Sequence, residues 1–215
     1  TLLSNKIKSY LDQGNDIEQL QVISPMKKGA CGVYKCNSII QEMMAEINGN
    51  TERILEIGFN KYHLGDRVIQ LENDYEKDVF NGDMGVIVDL GRKVIDSKKS
   101  DKEEPFIEVS FYGNYILYVG DEIDQLMLGW ALTVHKYQGS QIKNIIFVMA
   151  NEAQVMMNKE LVYTAFTRAE RHLDIYGSYN MYKIAPHKSV VKKRYTNMNK
   201  MIKELSTGKK LMKVM

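Results

Sequence analysis

The sequence predicts an α/β protein whose parallel sheet is interrupted by a small β domain. Helix-like and strand-like segments alternate at both ends of the chain, which is the pattern of a layered α/β domain. Between residues 61 and 124, short strand-like runs follow one another with no helix between them, as in a small barrel. The 215 residues are enough for one large domain or two small ones.

The first part of the α/β domain is predicted at residues 1–60. Residues 1–13 carry an apolar stripe of helical spacing and predict a helix. Residues 19–24 form a short apolar run that ends at a proline, which predicts a buried strand. A second helix is predicted to follow, with Asn37 or Ser38 as its N-cap.

Residues 61–124 are predicted to form the inserted β domain. Its strand-like runs are rich in β-branched and aromatic residues, and turn sequences with glycine, asparagine and aspartate separate them. The predicted strands are residues 66–71, 85–90, 106–111 and 115–119. The all-polar stretch 96–104 is predicted to be a mobile loop.

The α/β pattern returns at residues 125–215. Residues 126–134 and 144–149 are apolar enough for interior strands of a parallel sheet. The other predicted elements are a helix at 159–167, a strand at 172–176 and a basic amphipathic helix at 189–205.

Composition excludes several classes of protein. Hydrophobic residues make up 44% of the chain and charged residues 26%, which is typical of a globular protein and not of a disordered one. No apolar run approaches the ~20 residues of a membrane helix, so we expect a cytoplasmic protein without a membrane partner. Cys31 and Cys36 have neither redox nor zinc spacing and are expected to be reduced thiols. The four histidines are scattered, and no metal site is predicted.

Charge is distributed unevenly along the chain. The net charge is only +2, yet residues 183–215 contain ten lysines and arginines and a single acid, Glu204. A basic segment of this kind either contacts a polyanion or forms a solvated helix face. Composition alone leaves both interpretations open.

A basic, glycine-bearing loop follows the first predicted strand. Lys27 and Lys28 precede Gly29, and lysines beside free backbone amides suit a phosphate group. A solvated turn is the other interpretation, and the loop taken alone favours it.

The stretch richest in polar side chains, residues 133–141, comes directly after a predicted strand. Seven of its nine side chains can donate or accept hydrogen bonds. In open α/β sheets, ligands bind at the carboxyl ends of strands. This stretch is therefore predicted to be functional.

The next candidate is Arg168, near the end of the helix predicted at 159–167. An arginine in this position can reach a neighbouring site as a rigid donor fork for a phosphate group. The alternative is a surface ion pair of Arg168 or Arg171 with Glu170 or Asp174.

Two further sequences have simpler explanations. The turn at residues 80–85, which includes Asn81, contains glycines that permit positive φ, and a nucleic-acid contact is its weaker interpretation. Asp121 and Glu122 follow an apolar run, as magnesium-binding acids do in ATPases, but Gly120 breaks that pattern. We interpret these two acids as a turn or the start of a helix.

Taken in order, these stretches resemble the C-terminal half of RecD-like helicases, which are ATP-dependent superfamily 1B enzymes that move 5′ to 3′ on DNA. The likeness spans nearly the whole chain. It comprises residues 23–33 (motif IV), 65–85 (the family's block with the sequence VFNGD), 133–140 (motif V), 162–169 (motif VI) and the basic residues 193–196.

This resemblance implies a fold and a set of partners. Residues 1–60 and 125–215 would form the second RecA-like motor domain (2A), of the P-loop NTPase type, and residues 61–124 an SH3-like barrel (2B). A first motor domain would supply the phosphate loop and the ligands of Mg²⁺, and ATP would bind between the two. Single-stranded DNA and its junctions with duplex would be the substrate.

The resemblance also implies roles for individual residues. Arg168 would be the arginine finger. The residues implied at ATP are Lys27, Lys28, Gln138, Gly139, Ser140 and Gln141. Those implied at single-stranded DNA are Thr133, His135, Lys136 and Asn81. The family usually has an acid where Gln141 stands, so a role that needs negative charge does not carry over.

Two other functions stay open on sequence alone. One is a nucleic-acid-binding or protein-docking module without catalysis, and the other is the helicase part of a TraA-like conjugative relaxase. The 215 residues contain no G-x-x-x-x-G-K-[ST] phosphate loop and do not begin with methionine. We therefore expect a fragment, monomeric by itself, that does not hydrolyse ATP alone.

Overall fold

A computed structural model describes residues 1–94, 103–188 and 202–203. The helix predicted at 189–205 therefore lies outside the described residues, apart from 202 and 203, and so do the basic residues 193–196. In chain order the helices and strands are α1 (Leu2–Asp12), β1 (Leu20–Ser24), α2 (Val33–Asn48), β2 (Ile54–Ile57), β3 (Asn60–His63), β4 (Arg67–Gln70), β5 (Met84–Val94), β6 (Glu103–Phe111), β7 (Asn114–Val119), β8 (Leu126–Leu128), β9 (Ala131–Thr133), β10 (Ile142–Met149), α3 (Lys159–Phe166), β11 (Ala169–Gly177) and α4 (Tyr179–Ile184).

The α/β part is a parallel sheet with helices on both faces, as the sequence predicts. Its strand order is β11-β10-β1-β9, and every pair is parallel. Successive residues of β1 and β10 enter different cores: Val22 and Ile146 pack with α1 and α2, whereas Ile23 and Ile145 pack with α3 and α4. Strands buried on both faces carry continuous apolar runs, which is why both were predictable.

The β part is an antiparallel sheet with the strand order β7-β6-β5-β4-β8. The short hairpin β2–β3, which the sequence did not reveal, packs against it through Leu55 and Tyr62. The interior of this part also contains Val68, Ile107 and Tyr118, all less than 2% exposed. The domain boundaries at residues 61 and 124 stay predictions.

Residues 126–134 do not form the single strand that the sequence predicts. β8 pairs antiparallel with β4 of the β part, and β9 pairs parallel with β1 of the α/β part. The chain breaks between them at Gly129, whose amide donates to Arg67 O at 2.7 Å. Gln21 secures the break because its Nε2 donates to the carbonyls of Gly129 and Trp130. An apolar run shows burial but does not show which sheet each half joins.

The second helix begins earlier than predicted, at Val33, so neither Asn37 nor Ser38 is its N-cap. Asn37 is instead buried, and its Nδ2 donates to the carbonyls of Leu128 and Ala131. Its Oδ1 accepts from the amide of Ala131. This asparagine ties α2 to the crossing between the two sheets.

The structure also bears on the loop predicted at 96–104 and on membrane spans. Strand β6 already begins at Glu103, so the predicted loop 96–104 ends earlier than expected, and residues 95–102 lie outside the described part. Among the described helices, none is long and apolar enough to cross a membrane.

Replacing Gly85 by alanine is expected to destabilise the β part by about 1–3 kcal/mol, because the added methyl group overpacks the interior. A Cβ at Gly85 would lie 2.4 Å from Cγ1 of Val109 and 2.9 Å from Cδ1 of Phe111. Urea unfolding measures the change. Gly91→Ala in the same strand is the control, since its Cβ would meet only the ring of Phe106, at 3.2 Å. Equal losses for both variants would contradict the packing argument.

Candidate functional site

The lysine loop after β1 is held by its own backbone. The amides of Val33 and Tyr34, at the start of α2, donate to the carbonyls of Met26 and Lys27. Gly32 permits this close fold, because a Cβ there would lie 2.5 Å from Lys28 O. Lys27 and Lys28 themselves are exposed. The loop thus presents two cations, while these helix amides are already occupied and do not cradle an anion.

A carboxylate also contacts this loop. Oε2 of Glu152, which follows β10, accepts from the amide of Ala30 at 3.3 Å. A Cβ on Gly29, whose φ is +97°, would lie 2.6 Å from the same oxygen. The amide of Ala30 is therefore engaged by an acid of the chain itself.

The stretch 133–141 leaves β9 as a tight turn with two buried anchors. Val134 and Tyr137 are buried, and the amide of Tyr137 donates to Thr133 O at 3.1 Å. The amide of Lys136 donates to Thr133 Oγ1 at 3.2 Å. His135 is exposed, as are the residues at the far end of the turn, which are Gln138, Gly139, Ser140 and Gln141. Thr133 thus shapes the turn, and the exposed side chains remain available to a ligand.

The turn predicted at 80–85 meets this stretch in space. Nζ of Lys136 donates to Oδ1 of Asn81 at 2.7 Å, although 55 residues separate the two. Asn81 is fixed in turn by its amide, which donates to Asn73 Oδ1 at 2.9 Å. Burial lowers the pKa of Lys136, and the positive charge of Lys27 lowers it further. Two of the four residues implied at DNA are therefore in direct contact.

A cavity of about 470 Å³ lies at this contact, between the β part and the polar turn. Its lining includes Asn81, Tyr112, His135, Lys136, Gln138 and Ser140. A second cavity of about 450 Å³ lies between the same turn and α3, lined in part by His135, Gln138, Asn158 and Thr164. Side chains of the polar turn therefore face two separate spaces.

Arg168 lies just before β11 and is turned toward its own chain. Its Nε donates to Thr164 O at 3.2 Å, and its Nη1 donates to Ser140 O at 3.2 Å. Gln141 lies close by, because its Nε2 donates to Thr167 O at 3.4 Å. The structure thus brings Arg168 together with the far end of the polar turn.

The surface ion pairs considered for Arg168 and Arg171 are not observed. Among the ion pairs of the described residues, none includes either arginine, and Asp174 pairs with Lys6 at 3.1 Å. Arg168 donates its hydrogen bonds to carbonyl and hydroxyl oxygens instead.

The candidate residues fall into two groups along the sheet. Lys27, Lys28 and Lys136 follow the carboxyl ends of β1 and β9, and Thr133 is the last residue of β9. Ser140, Gln141 and Arg168 lie before the amino ends of β10 and β11, which are parallel to those strands. The lysine loop and Arg168, both implied at ATP, are thus at opposite ends of the sheet, and the polar turn runs between them.

Other acids and histidines do not form a metal site in the described part of the chain, where no group of three or more His, Cys, Asp and Glu is arranged to hold an ion. Asp121 and Glu122 lie in a 3₁₀ helix, as the sequence predicts. Glu122 accepts from Lys77 Nζ at 2.8 Å, and this bond lowers the pKa of Glu122.

Sequence reasoning missed a buried polar joint between the two parts. Asp66 is 2% exposed and accepts three hydrogen bonds, from Gln41 Nε2, the amide of His63 and Trp130 Nε1. Burial raises the pKa of Asp66 despite these bonds. Gln41 lies on α2 and Trp130 in the crossing between the sheets, so one carboxylate holds three segments together.

Arg67 extends this joint. It is 7% exposed and donates to the carbonyls of Leu20 at 2.9 Å and Ile17 at 2.7 Å. Its guanidinium lies 5.0 Å from the ring centre of Trp130. Asp66 and Arg67 open the strand predicted at 66–71, and no local pattern marks either one as buried or names its partners. The joint fixes the β part relative to the sheet, and with it Asn81 relative to Lys136.

Comparison with known proteins identifies the family. Residues 36–111 match the model of the ATP-dependent RecD-like DNA helicase SH3 domain, and residues 128–176 match that of the UvrD-like helicase C-terminal domain. The ATP-dependent RecD2 DNA helicase of Deinococcus radiodurans is 34% identical over 166 residues. This chain belongs to the RecD-like helicases. The family match agrees with the resemblance read from the motifs, and the SH3 model covers most of the β part of this RecD-like chain.

The relatives are much longer than this RecD-like chain. The match to the Deinococcus protein covers 77% of the chain and 21% of that relative. The RecBCD enzyme subunit RecD of Buchnera aphidicola (subspecies Schizaphis graminum) is 29% identical over 161 residues, which cover 74% of the chain and 25% of that relative. The chain thus spans about a fifth to a quarter of these two relatives.

Solved structures give a weaker likeness. The Pif1 helicase of Candida albicans has a TM-score of 0.48 and 16% identity, over 86% of this chain and 50% of that one. Bacteroides Pif1 bound to single-stranded DNA has a TM-score of 0.41 and 16% identity, over 96% of this chain and 54% of that one.

Proposed function

We propose that this chain is the second motor half of an ATP-dependent DNA helicase that moves 5′ to 3′. The observation that carries the proposal is the contact between Lys136 and Asn81, 2.7 Å long, beside a polar cavity. It places a cation of the α/β part and an amide of the β part at one opening. Membership of the RecD-like family supports nucleic acid as the ligand.

Single-stranded DNA would bind at this opening. Lysines and side-chain amides position a phosphate backbone without reading its sequence, which is what a motor needs in order to move over any sequence. Lys136 and Asn81 would contact phosphates, and exposed His135 would add a further donor. Thr133 would contribute by holding the turn, since its Oγ1 accepts from the Lys136 amide. If only the basic C-terminal segment bound DNA, changing Lys136 would leave the affinity unaltered.

ATP would bind where Arg168 and the end of the polar turn meet. Ser140 O already accepts from Arg168, so a nucleotide that attracts the guanidinium would pull on the polar turn. Gln138, Gly139 and Gln141 belong to the same turn and would line this site. Lys27 and Lys28 lie at the opposite end of the sheet, where the charge of Lys27 acts on Lys136, so we do not assign them to the nucleotide that Arg168 would contact. The phosphate loop and the ligands of Mg²⁺ would come from a first motor domain, so this chain alone is expected to be inactive.

The polar turn would couple the two ligands. Its first residues reach the proposed DNA opening, and its last residues contact Arg168. Closure of the cleft on ATP would draw Arg168 toward the γ-phosphate, shift the turn and change its hold on the strand. Such coupling requires that ATP bind the closed state more tightly than the open one.

Replacing Lys136 by alanine is expected to weaken the binding of single-stranded DNA several-fold and to reduce the salt dependence by about one phosphate contact. Fluorescence anisotropy of a labelled oligonucleotide across a salt series measures both. Lys8→Ala is the matched control, because Lys8 is exposed on α1 and carries the same charge. Equal affinities of the two variants would contradict a DNA-facing turn, and loss only on changing Lys193 and Arg194 would assign binding to the basic segment.

A further inference from the structure

The turn between β6 and β7 holds a tyrosine in a costly backbone conformation. Tyr112 has a φ of 52° and Gly113 a φ of 93°, and the flanking Phe111 and Asn114 are paired across the hairpin. A two-residue turn with both φ values positive favours asparagine, aspartate or glycine at its first position. A bulky side chain there is an outlier that the rest of the structure must hold in place.

The ring of Tyr112 does not repay this cost by packing. The residue is 86% exposed, so its side chain buries little apolar surface. Elsewhere on the β part, exposed Tyr75 packs edge-to-face on Phe80 at 6.0 Å, whereas Tyr112 has no such aromatic partner among the described residues. Strained residues of this kind are concentrated at functional sites.

The position of the ring points to a ligand. Tyr112 lines the cavity of about 470 Å³ that Asn81 and Lys136 also line. It also lines the adjoining groove along the sheet, next to Tyr137. An exposed aromatic face thus lies at the mouth of a space lined by a cation and amides.

We propose that Tyr112 stacks on a base of the single strand whose phosphates bind Lys136 and Asn81. The proposal rests on the function proposed above and adds a residue of the β part to it. Proteins that bind single strands without sequence preference combine cations along the backbone with aromatic rings under the bases, because every base has a π-face. The strained turn aims the ring outward and keeps it available to the strand.

Tyr112→Asn provides the test, because asparagine fits the turn and removes the ring. Affinity for a labelled oligothymidine is expected to fall about 5- to 150-fold, the range of one lost base–aromatic stack. The midpoint of thermal unfolding is expected to rise by roughly 2–4 °C as strain is relieved. A damaged fold would lower both quantities, so the opposite signs identify a ligand-binding ring.

Tyr112→Phe and Tyr115→Asn are the controls. The phenylalanine variant keeps the ring and is expected to bind like the parent. Tyr115 is 66% exposed on β7 but is not among the residues that line the cavity, so its loss is expected to leave affinity unchanged. An oligonucleotide without bases is expected to bind the parent and Tyr112→Asn equally.

The outcomes separate this inference from the function on which it rests. If Lys136→Ala weakens binding and Tyr112→Asn does not, the stacking role is wrong and the DNA-binding turn stands. If the parent binds no single-stranded DNA, both proposals are wrong. If Tyr112→Asn weakens binding of the oligonucleotide without bases as much as that of oligothymidine, the tyrosine contacts the backbone and the stacking role is again wrong.

Discussion

Replacing Arg168 by alanine is expected to lower the rate of ATP hydrolysis by about 10³- to 10⁵-fold in a polypeptide that joins this chain to a first motor domain with a phosphate loop. This is the range that an arginine finger contributes in phosphoryl-transfer enzymes, because its charge offsets negative charge that develops on the transferring group. Steady-state hydrolysis with saturating single-stranded DNA measures the effect as a change in kcat.

The hydrogen bonds of Arg168 show which control variants this experiment needs. Its fork now donates to Thr164 O, Ser140 O and Thr167 Oγ1, so it must turn outward to reach ATP. Arg168→Lys is the first control: lysine keeps the charge but lacks the planar fork, and it is expected to recover little activity. Arg171→Ala is the second, since Arg171 is exposed on β11, three residues further along the chain, and this variant is expected to retain activity.

Binding of single-stranded DNA separates catalysis from folding in these variants. Arg168→Ala is expected to bind DNA as the parent does, because Lys136 and Asn81 lie at the other end of the polar turn. A near-normal kcat in Arg168→Ala would contradict the role of Arg168 as an arginine finger. A matched loss of DNA binding and hydrolysis would indicate instead that Arg168 supports the fold through Ser140.

The sequence predicted the strands and helices that a short apolar run or an apolar stripe is enough to define. β1 and β10 read as continuous apolar runs because both faces of each strand are buried, and α3 shows a clear apolar stripe. The run at 126–134 was equally apolar but serves two sheets, and the break depends on Gln21, more than 100 residues away. Asn37 looked like a cap because its type is common there, whereas its partners lie about 90 residues away.

In the candidate site, too, the sequence revealed local features but not the long-range contacts. The chemistry of Lys136 and Arg168 was readable from residue types next to predicted strands and helices. Their partners were not, because Asn81 and Ser140 reach them only through the fold. Asp66 shows the limit most clearly: it stood in a stretch with a family likeness, yet nothing local reveals that it holds three segments.

Replacing Asp66 by alanine is therefore expected to cost about 3–5 kcal/mol of the free energy of unfolding. The change leaves the His63 amide and Trp130 Nε1 without their acceptor, and it leaves Gln41 Nε2 only its bond to Lys61 O. Each buried donor without an acceptor costs about 1–3 kcal/mol unless water reaches it. Urea unfolding followed by tryptophan fluorescence measures this loss. Trp130 is the only tryptophan of the chain and donates a hydrogen bond to Asp66, so the signal comes from the altered site itself.

Asp89→Ala is the matched control for this loss. Asp89, like Asp66, accepts a hydrogen bond from a side chain. Its donor is Arg53, at 2.8 Å, and both side chains of this pair are about half exposed. Exposed ion pairs contribute about 0–1 kcal/mol, so the control is expected to lose no more than that. Similar losses in the two aspartate variants would mean that the buried network around Asp66 contributes nothing special.

The protonation of Asp66 gives the second half of this prediction. Burial raises the pKa of this carboxyl above its ordinary value of 3.8, so the folded chain binds the proton more tightly than the unfolded chain does. This stabilising contribution is complete below the ordinary pKa and is lost as the pH rises through the raised pKa. The parent is therefore expected to gain stability relative to Asp66→Asn, which does not titrate, as the pH falls from neutral into the acid range. A difference that instead grows in favour of the parent as the pH rises would show that the hydrogen bonds from Gln41, His63 and Trp130 outweigh burial.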